Sequence, residues 1–137
     1  MTGSLSMLLH EPHSLVRTTV ASVARSMDFA LVQDTSMPST VSQWLRQTPF
    51  DVVVLALDET PEALEWIKRL RHGGTASPPQ AEVVVTTSHV NEGLIHELRE
   101  LGVRRVLVKP FKVKVFLETL MALAPKPALD DQLQPSS

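Results

Sequence analysis

The sequence predicts a doubly wound α/β sandwich, a five-stranded parallel sheet with five helices, and three observations carry that expectation. Apolar runs of strand length recur five times, and after each comes a stretch with apolar residues at helical spacing. The third run, Val52 to Leu57, is apolar throughout, as a central strand covered on both faces must be. Alternating strands and helices of this size require parallel pairing with right-handed crossovers, the helices shared between the two sheet faces.

Leu5 to Leu9 forms the first apolar run, and Val16, Val20, Val23 and Met27 trace one face of the helix after it. Phe29 to Val32 reads as the second strand, Asp34 to Thr40 as turn and capping residues, and Val41, Trp44 and Leu45 as the inner face of the second helix. After the third strand a helix follows Pro61, with Leu64, Ile67 and Leu70 inward. Gly73 to Gln80, with two glycines and two prolines, must be a loop. Val83 to Val85 is the fourth strand, and Leu94, Ile95, Leu98 and Leu101 mark the fourth helix, which Gly102 is placed to stop. Val106 to Val108 is the fifth strand, and Val113 to Leu123, with Phe116, Leu117 and Leu120, the fifth helix. Residues 1–123 are thus expected to form one domain, and 124–137, rich in proline and polar residues, a loose carboxy-terminal tail.

With 137 residues, 43% of them hydrophobic and 20% charged, the chain can bury one proper core, and disorder is not expected. A net charge of -2 gives no general attraction to nucleic acid or anionic membrane, and no recognisable DNA-binding module follows residue 123. The absence of cysteine excludes disulfides, thiolate zinc sites and a cysteine nucleophile, in keeping with a reducing compartment. No apolar run reaches membrane-spanning length, and Met1 to Ser6 lacks the features of a secretory signal, so a cytoplasmic protein is expected. Dinucleotide, Walker, metalloprotease and nucleophile-elbow motifs are all missing.

In an open α/β sheet, ligands and reacting groups gather outside the carboxyl ends of the strands. This chain brings there His10, Glu11, Pro12 and His13, then Ala56 to Glu59, then Thr86 to His89, and finally Lys109 and Pro110. These residues, above all Val108-Lys109-Pro110-Phe111 preceded by Glu100-Leu101-Gly102, resemble the receiver domains of bacterial two-component response regulators over roughly residues 5 to 123. The resemblance implies a flavodoxin-like, receiver-type sandwich. It also implies a site in which an acidic pair ends the first strand, a phosphate-accepting aspartate the third, a hydroxyl residue the fourth and a lysine the fifth, with magnesium bridging carboxylates and phosphate.

Carried over residue by residue, the resemblance places Glu11 and Pro12 at the acidic pair, Ala56 at the phosphate-accepting position, Thr87 at the hydroxyl position and Lys109, followed by Pro110, at the lysine. Val106 stands where an aromatic switch residue is usual. A methyl group cannot be phosphorylated, so the resemblance implies a degenerate, pseudo-receiver form. Such a domain is non-enzymatic and is expected to need no cofactor. It would act in two-component signalling by binding a protein, such as a histidine kinase or an output protein. The fourth helix, fifth strand and fifth helix are the expected partner face, with Arg104, Arg105, Val106, Lys112 and Lys114 as candidates, and the same face allows a homodimer.

Lys109 without an aspartate needs another countercharge, and Glu11 is the obvious partner. Asp58 is the other candidate, because residues two apart on a strand share a side, although roughly 6 to 7 Å of strand would separate it from the usual acceptor position. Two alternatives stay open at this point. Asp58 could be an unorthodox phosphate acceptor with magnesium held by Glu11, or the edge could sense a small ligand or a metal through His10, His13 and His89 together with Glu11 and Asp58. Thr87 could equally bond the backbone of its own turn.

Overall fold

The computed structural model describes residues 5–27 and 29–123, and the tail expected at 124–137 lies outside them. Strands β1 (Leu5–His10), β2 (Phe29–Thr35), β3 (Val52–Ala56), β4 (Glu82–Thr87) and β5 (Arg105–Val108) alternate with helices α1 (Ser14–Arg25), α2 (Pro38–Gln47), α3 (Ala63–Arg71), α4 (Glu92–Glu100) and α5 (Val113–Leu123). All four strand pairings are parallel, in the order β2-β1-β3-β4-β5. The fold class is therefore the doubly wound sandwich that the alternation predicted.

Strand alternation sorts the core into two layers. Met7, Leu9, Val52, Val54, Val84 and Leu107 meet Val20, Ala21 and Ala24 of α1 and Phe116 and Leu120 of α5. Leu8, Val53, Leu55, Val83 and Val85 meet Val41, Leu45, Trp66, Ile67, Leu70 and Leu98 of α2, α3 and α4. A fully buried side chain such as Phe116 or Leu120 contributes about 1.5–3 kcal/mol through the apolar surface it removes from water.

Several boundaries differ from the sequence expectation, each for a tertiary reason. β2 runs on to Thr35 because it pairs with β1 through Leu9↔Asp34 and His10↔Thr35. An edge strand, bonded on one side only, tolerates such polar residues. Asp34 is accordingly no helix cap. It lies in the strand and is held by Arg17 at 3.4 Å and Arg25 at 2.9 Å. Met37 precedes α2 without a side-chain cap, and Pro38 occupies the first turn, where its missing N–H costs nothing.

Trp66 is the inward residue of α3 that the periodicity did not single out, while Leu64 packs only at the margin. In α4 only Leu98 is fully buried, with Leu94 and Leu101 partly so. Asn91, unread in the sequence, caps this helix by accepting from the Leu94 N–H at 2.8 Å. Gly102 ends it as expected, at φ +74, where a side chain would be strained.

Candidate functional site

Four strand ends meet at the carboxyl edge, and two carboxylates organise what they bring. Glu11, immediately after β1, is 3% exposed. Its backbone N–H donates to the Thr35 carbonyl at 3.1 Å, which fixes the residue against the end of β2. One side-chain oxygen accepts from the His13 N–H at 2.9 Å, closing the turn into α1. The other accepts from Lys109 Nζ at 2.8 Å. The Lys109 N–H in turn donates to the Thr87 carbonyl, tying the end of β5 to β4. Lys109 thus finds its countercharge in Glu11, 98 residues away in the chain.

Asp58 reaches the site by a route that the strand argument misses. β3 ends at Ala56, and the chain then turns through Leu57 to Thr60, closed by a Thr60 N–H to Leu57 carbonyl bond of 3.1 Å, with Glu59 at φ 58. That third turn position ordinarily favours glycine or asparagine. Asp58 is therefore not carried further along the strand axis but is folded towards the end of β4. Its Oδ2 accepts from the Ser88 N–H at 2.8 Å and the Ser88 hydroxyl at 2.6 Å, and its Oδ1 lies 3.1 Å from Thr87 Oγ1. The Thr87 hydroxyl also has the His89 carbonyl within 3.1 Å and accepts from the His89 N–H at 3.3 Å. The turn-bonding role and the site-facing role of Thr87 thus coexist. Burial acts to raise the Asp58 pKa, but the Ser88 side chain and amide, Thr87 and the Lys109 ammonium outweigh it and leave the carboxyl below its ordinary value.

Ala56 is completely buried at the end of β3, paired with Thr86 of β4. Glu11, Pro12, His13, Asp58, Glu59, Ser88, His89 and Lys109 surround a polar cavity of about 410 Å³. The structure therefore brings Glu11, Asp58, Thr87 and Lys109 together. Pro110 is exposed and follows a cis peptide bond. Ser88 was missed in the sequence. A hydroxyl beside a strand-end threonine was visible there, but its bond to Asp58 depends on the turn after β3.

The three histidines do not converge on a metal. His10 points into the core, its ring 5.4 Å from that of Trp66 and nearly perpendicular to it, while His13 and His89 line the polar cavity. Among the described residues no three His, Asp or Glu side chains are placed to hold a metal ion. The receiver resemblance implies magnesium, and this edge does not fit it: Pro12 and Ala56 offer no side-chain ligand, and of the two carboxylates present Glu11 is paired with Lys109 while Asp58 is turned onto Thr87 and Ser88.

His10 is 1% exposed, and neither ring nitrogen has a hydrogen-bond partner among the described residues, the nearby Ser36 backbone lying outside bonding geometry. Burial lowers its pKa. Glu11, Ser36 and Glu62 oppose that shift and Arg17 adds to it. The neutral ring belongs to the folded state and the unfolded state binds the proton more readily, so stability falls as pH drops below the ordinary histidine value of about 6.5. His10→Phe is expected to flatten the stability profile between about pH 5 and 7, measured by urea titrations. An unchanged slope would refute the assignment.

The expected partner face divides. Arg104 is held by Glu82, the first residue of β4, at 2.8 Å, which places it at the opposite end of β5 from Lys112 and Lys114. Arg105 is half-buried, its Nε without a partner among the described residues. Val106 packs inward against the layer that includes Leu94 and Leu101. Lys112 and Lys114 remain exposed. The five residues therefore do not form one continuous basic surface.

No protein-family model matches the chain, and no curated protein matches it. Solved structures do. A response regulator from Thermotoga maritima superimposes with a TM-score of 0.74 at 21% identity, over 88% of this chain and 98% of that one. The fold is the receiver fold. The chemotaxis response regulator CheY4 of Vibrio cholerae gives 0.75 at 17% identity, covering 88% and 99% of the two chains. A CheY-like response regulator receiver domain from Methylobacillus flagellatus gives 0.70 at 16% identity, covering 88% and 99%. Within the receiver fold, no described helix is long and apolar enough to cross a membrane.

Proposed function

We propose that the chain is a receiver domain of two-component signalling that works by binding other proteins, without aspartyl phosphorylation. One observation carries this reading: the chain's own carboxylates already occupy the donors of the site. Asp58 takes the Ser88 amide and hydroxyl and faces Thr87, and Glu11 takes Lys109. An incoming phosphoryl group would have to displace Asp58 from Ser88 and share the Lys109 ammonium with Glu11. At the position the resemblance gives to the acceptor stands the Ala56 methyl group, which offers no nucleophile.

A domain arranged this way is held in a single signalling state. The equilibrium that a phosphoryl group would bias is set instead by internal ion pairs and by whatever protein binds. The partner is a signalling protein of the cytoplasm, a histidine kinase or an output protein, met on the α4-β5-α5 face through Lys112 and Lys114.

Asp58 as the acceptor is the second reading, favoured by its place beside Thr87 in the cavity that Lys109 also lines. The test adds magnesium with acetyl phosphate, or with beryllium fluoride, to the purified protein and to Asp58→Asn. The expected result is no gain of phosphoryl mass and unchanged amide signals for Thr87, Ser88 and Lys109. Phosphorylation that disappears in Asp58→Asn would establish the second reading instead.

A further inference from the structure

A second cavity opens beside the polar one, and its chemistry is different. About 610 Å³ in volume, it lies between α1 and α5 and is walled by Val16, Val20 and Val23 on one side and Phe111, Val113 and Phe116 on the other. Its volume falls within the roughly 300–1,000 Å³ of small-molecule sites. Two apolar side chains at its rim face water: Leu15 is 73% exposed and Val113 49%. Exposed leucines and valines are ordinary when scattered, but these two flank one concave apolar surface.

The apolar groove runs into the polar cavity, and His13, Ser88 and Lys109 line both. The polar half holds three carboxylates, Glu11, Asp58 and Glu59, against the single ammonium of Lys109. That ammonium is committed to Glu11 at 2.8 Å. The excess negative charge therefore rests on Asp58 and Glu59. Glu59 is exposed and forms no salt bridge among the described residues.

We propose that this compound cavity binds a small amphipathic amine, its apolar or aromatic body in the groove between α1 and α5 and its protonated head at Glu59, with Asp58 adding its negative charge nearby. The charge decides the head group. An anionic head would meet the net negative charge of Asp58 and Glu59, with the Lys109 ammonium already paired to Glu11, whereas a cation is drawn to the exposed Glu59 and to the charge that the neutral donors on Asp58 leave in place. The groove decides the body, since valine and phenylalanine walls reward the removal of apolar surface from water and offer few groups for a polar body. This goes beyond the signalling reading and does not depend on it.

The experiment titrates the full chain with naphthylethylamine and, in parallel, with naphthylacetate, which carries the same ring system and the opposite charge. Amide signals report where binding occurs. The amine is expected to saturate with shifts in α1, the start of α5 and the turn after β3, and to bind on the order of tenfold more tightly than the acetate. Glu59→Gln, at an exposed side chain, should narrow that difference. Thr19→Trp, which fills the groove from its half-buried lining position, should abolish both. Val16→Phe serves if Thr19→Trp does not fold. Equal affinities, tighter binding of the acetate, or no saturable binding to the unaltered chain would each overturn the proposal. So would concentration-dependent self-association that the filled groove abolishes without any amine binding, since it would assign the groove to a second copy of the chain.

Discussion

Glu11→Leu is expected to lower the stability of the folded chain by about 3 kcal/mol, because the substitution strands the Lys109 ammonium. Glu11 has a side chain only 4% exposed and Lys109 one 19% exposed, so water can restore little of the lost solvation. The loss would not measure what the pair is worth, since much of it is the cost of an uncompensated charge in a poorly solvated place. Lys109→Met should cost a similar amount for the converse reason, leaving a carboxylate buried. The double variant Glu11→Leu/Lys109→Met, two apolar side chains of similar reach, is expected to return to within about 1 kcal/mol of the unaltered chain. Urea midpoints at fixed slope would measure all three. Simple addition of the two single losses would mean that the pair does not act as a unit.

Arg71→Ala should be nearly as damaging, at about 2–4 kcal/mol, although it lies at the opposite end of the sheet. The guanidinium leaves the end of α3 and donates to four carbonyls: Leu101 at 2.7 Å, Pro79 at 2.7 Å, Ala81 at 2.7 Å and Gly102 at 3.3 Å. Two of these belong to the end of α4 and two to the loop before β4, so one side chain fastens three segments that have no strand pairing of their own. Burial lowers the Arg71 pKa, with Glu82 opposing and Arg104 adding to the shift, yet the group stays charged at any pH of interest. Arg71→Lys is the informative control. Lysine keeps the charge but cannot reproduce the planar fork, and most of the loss should remain. Hydrogen exchange should accelerate at Leu101 to Val103 in both variants. A lysine variant as stable as the original would reduce the role of Arg71 to its charge.

The site shows why some of its geometry could be read from the chain and some could not. Lys109 needed a countercharge, and Glu11 stood at the same carboxyl edge, across β3 and β4 in the sheet but with a side chain long enough to meet it, so the pair could be read from the chain. Asp58 did not follow. Extending β3 by two residues kept it on the strand axis, whereas the turn from Leu57 to Thr60 folds it onto Thr87 and Ser88. A positive φ at a glutamate has no sequence signature, so the turn carried no warning. His10 failed differently: grouped by chain position with two other strand-end histidines, it is turned into the layer under Trp66 by strand alternation. The basic run near the end of the chain also divides in space, Arg104 and Lys112 lying at opposite ends of β5.

By itself the sequence determined the alternation of strands and helices and the central place of the run from Val52 to Leu57, because these depend on local composition and on periods of two and 3.6 residues. Beyond the Glu11–Lys109 pair, tertiary structure alone decided where the polar groups at the carboxyl edge find their partners. Those partners come from different strand ends, and the turn geometry between them fixes which carboxylate meets which donor. It left Asp58 on Thr87 and Ser88, and an apolar groove open beside them.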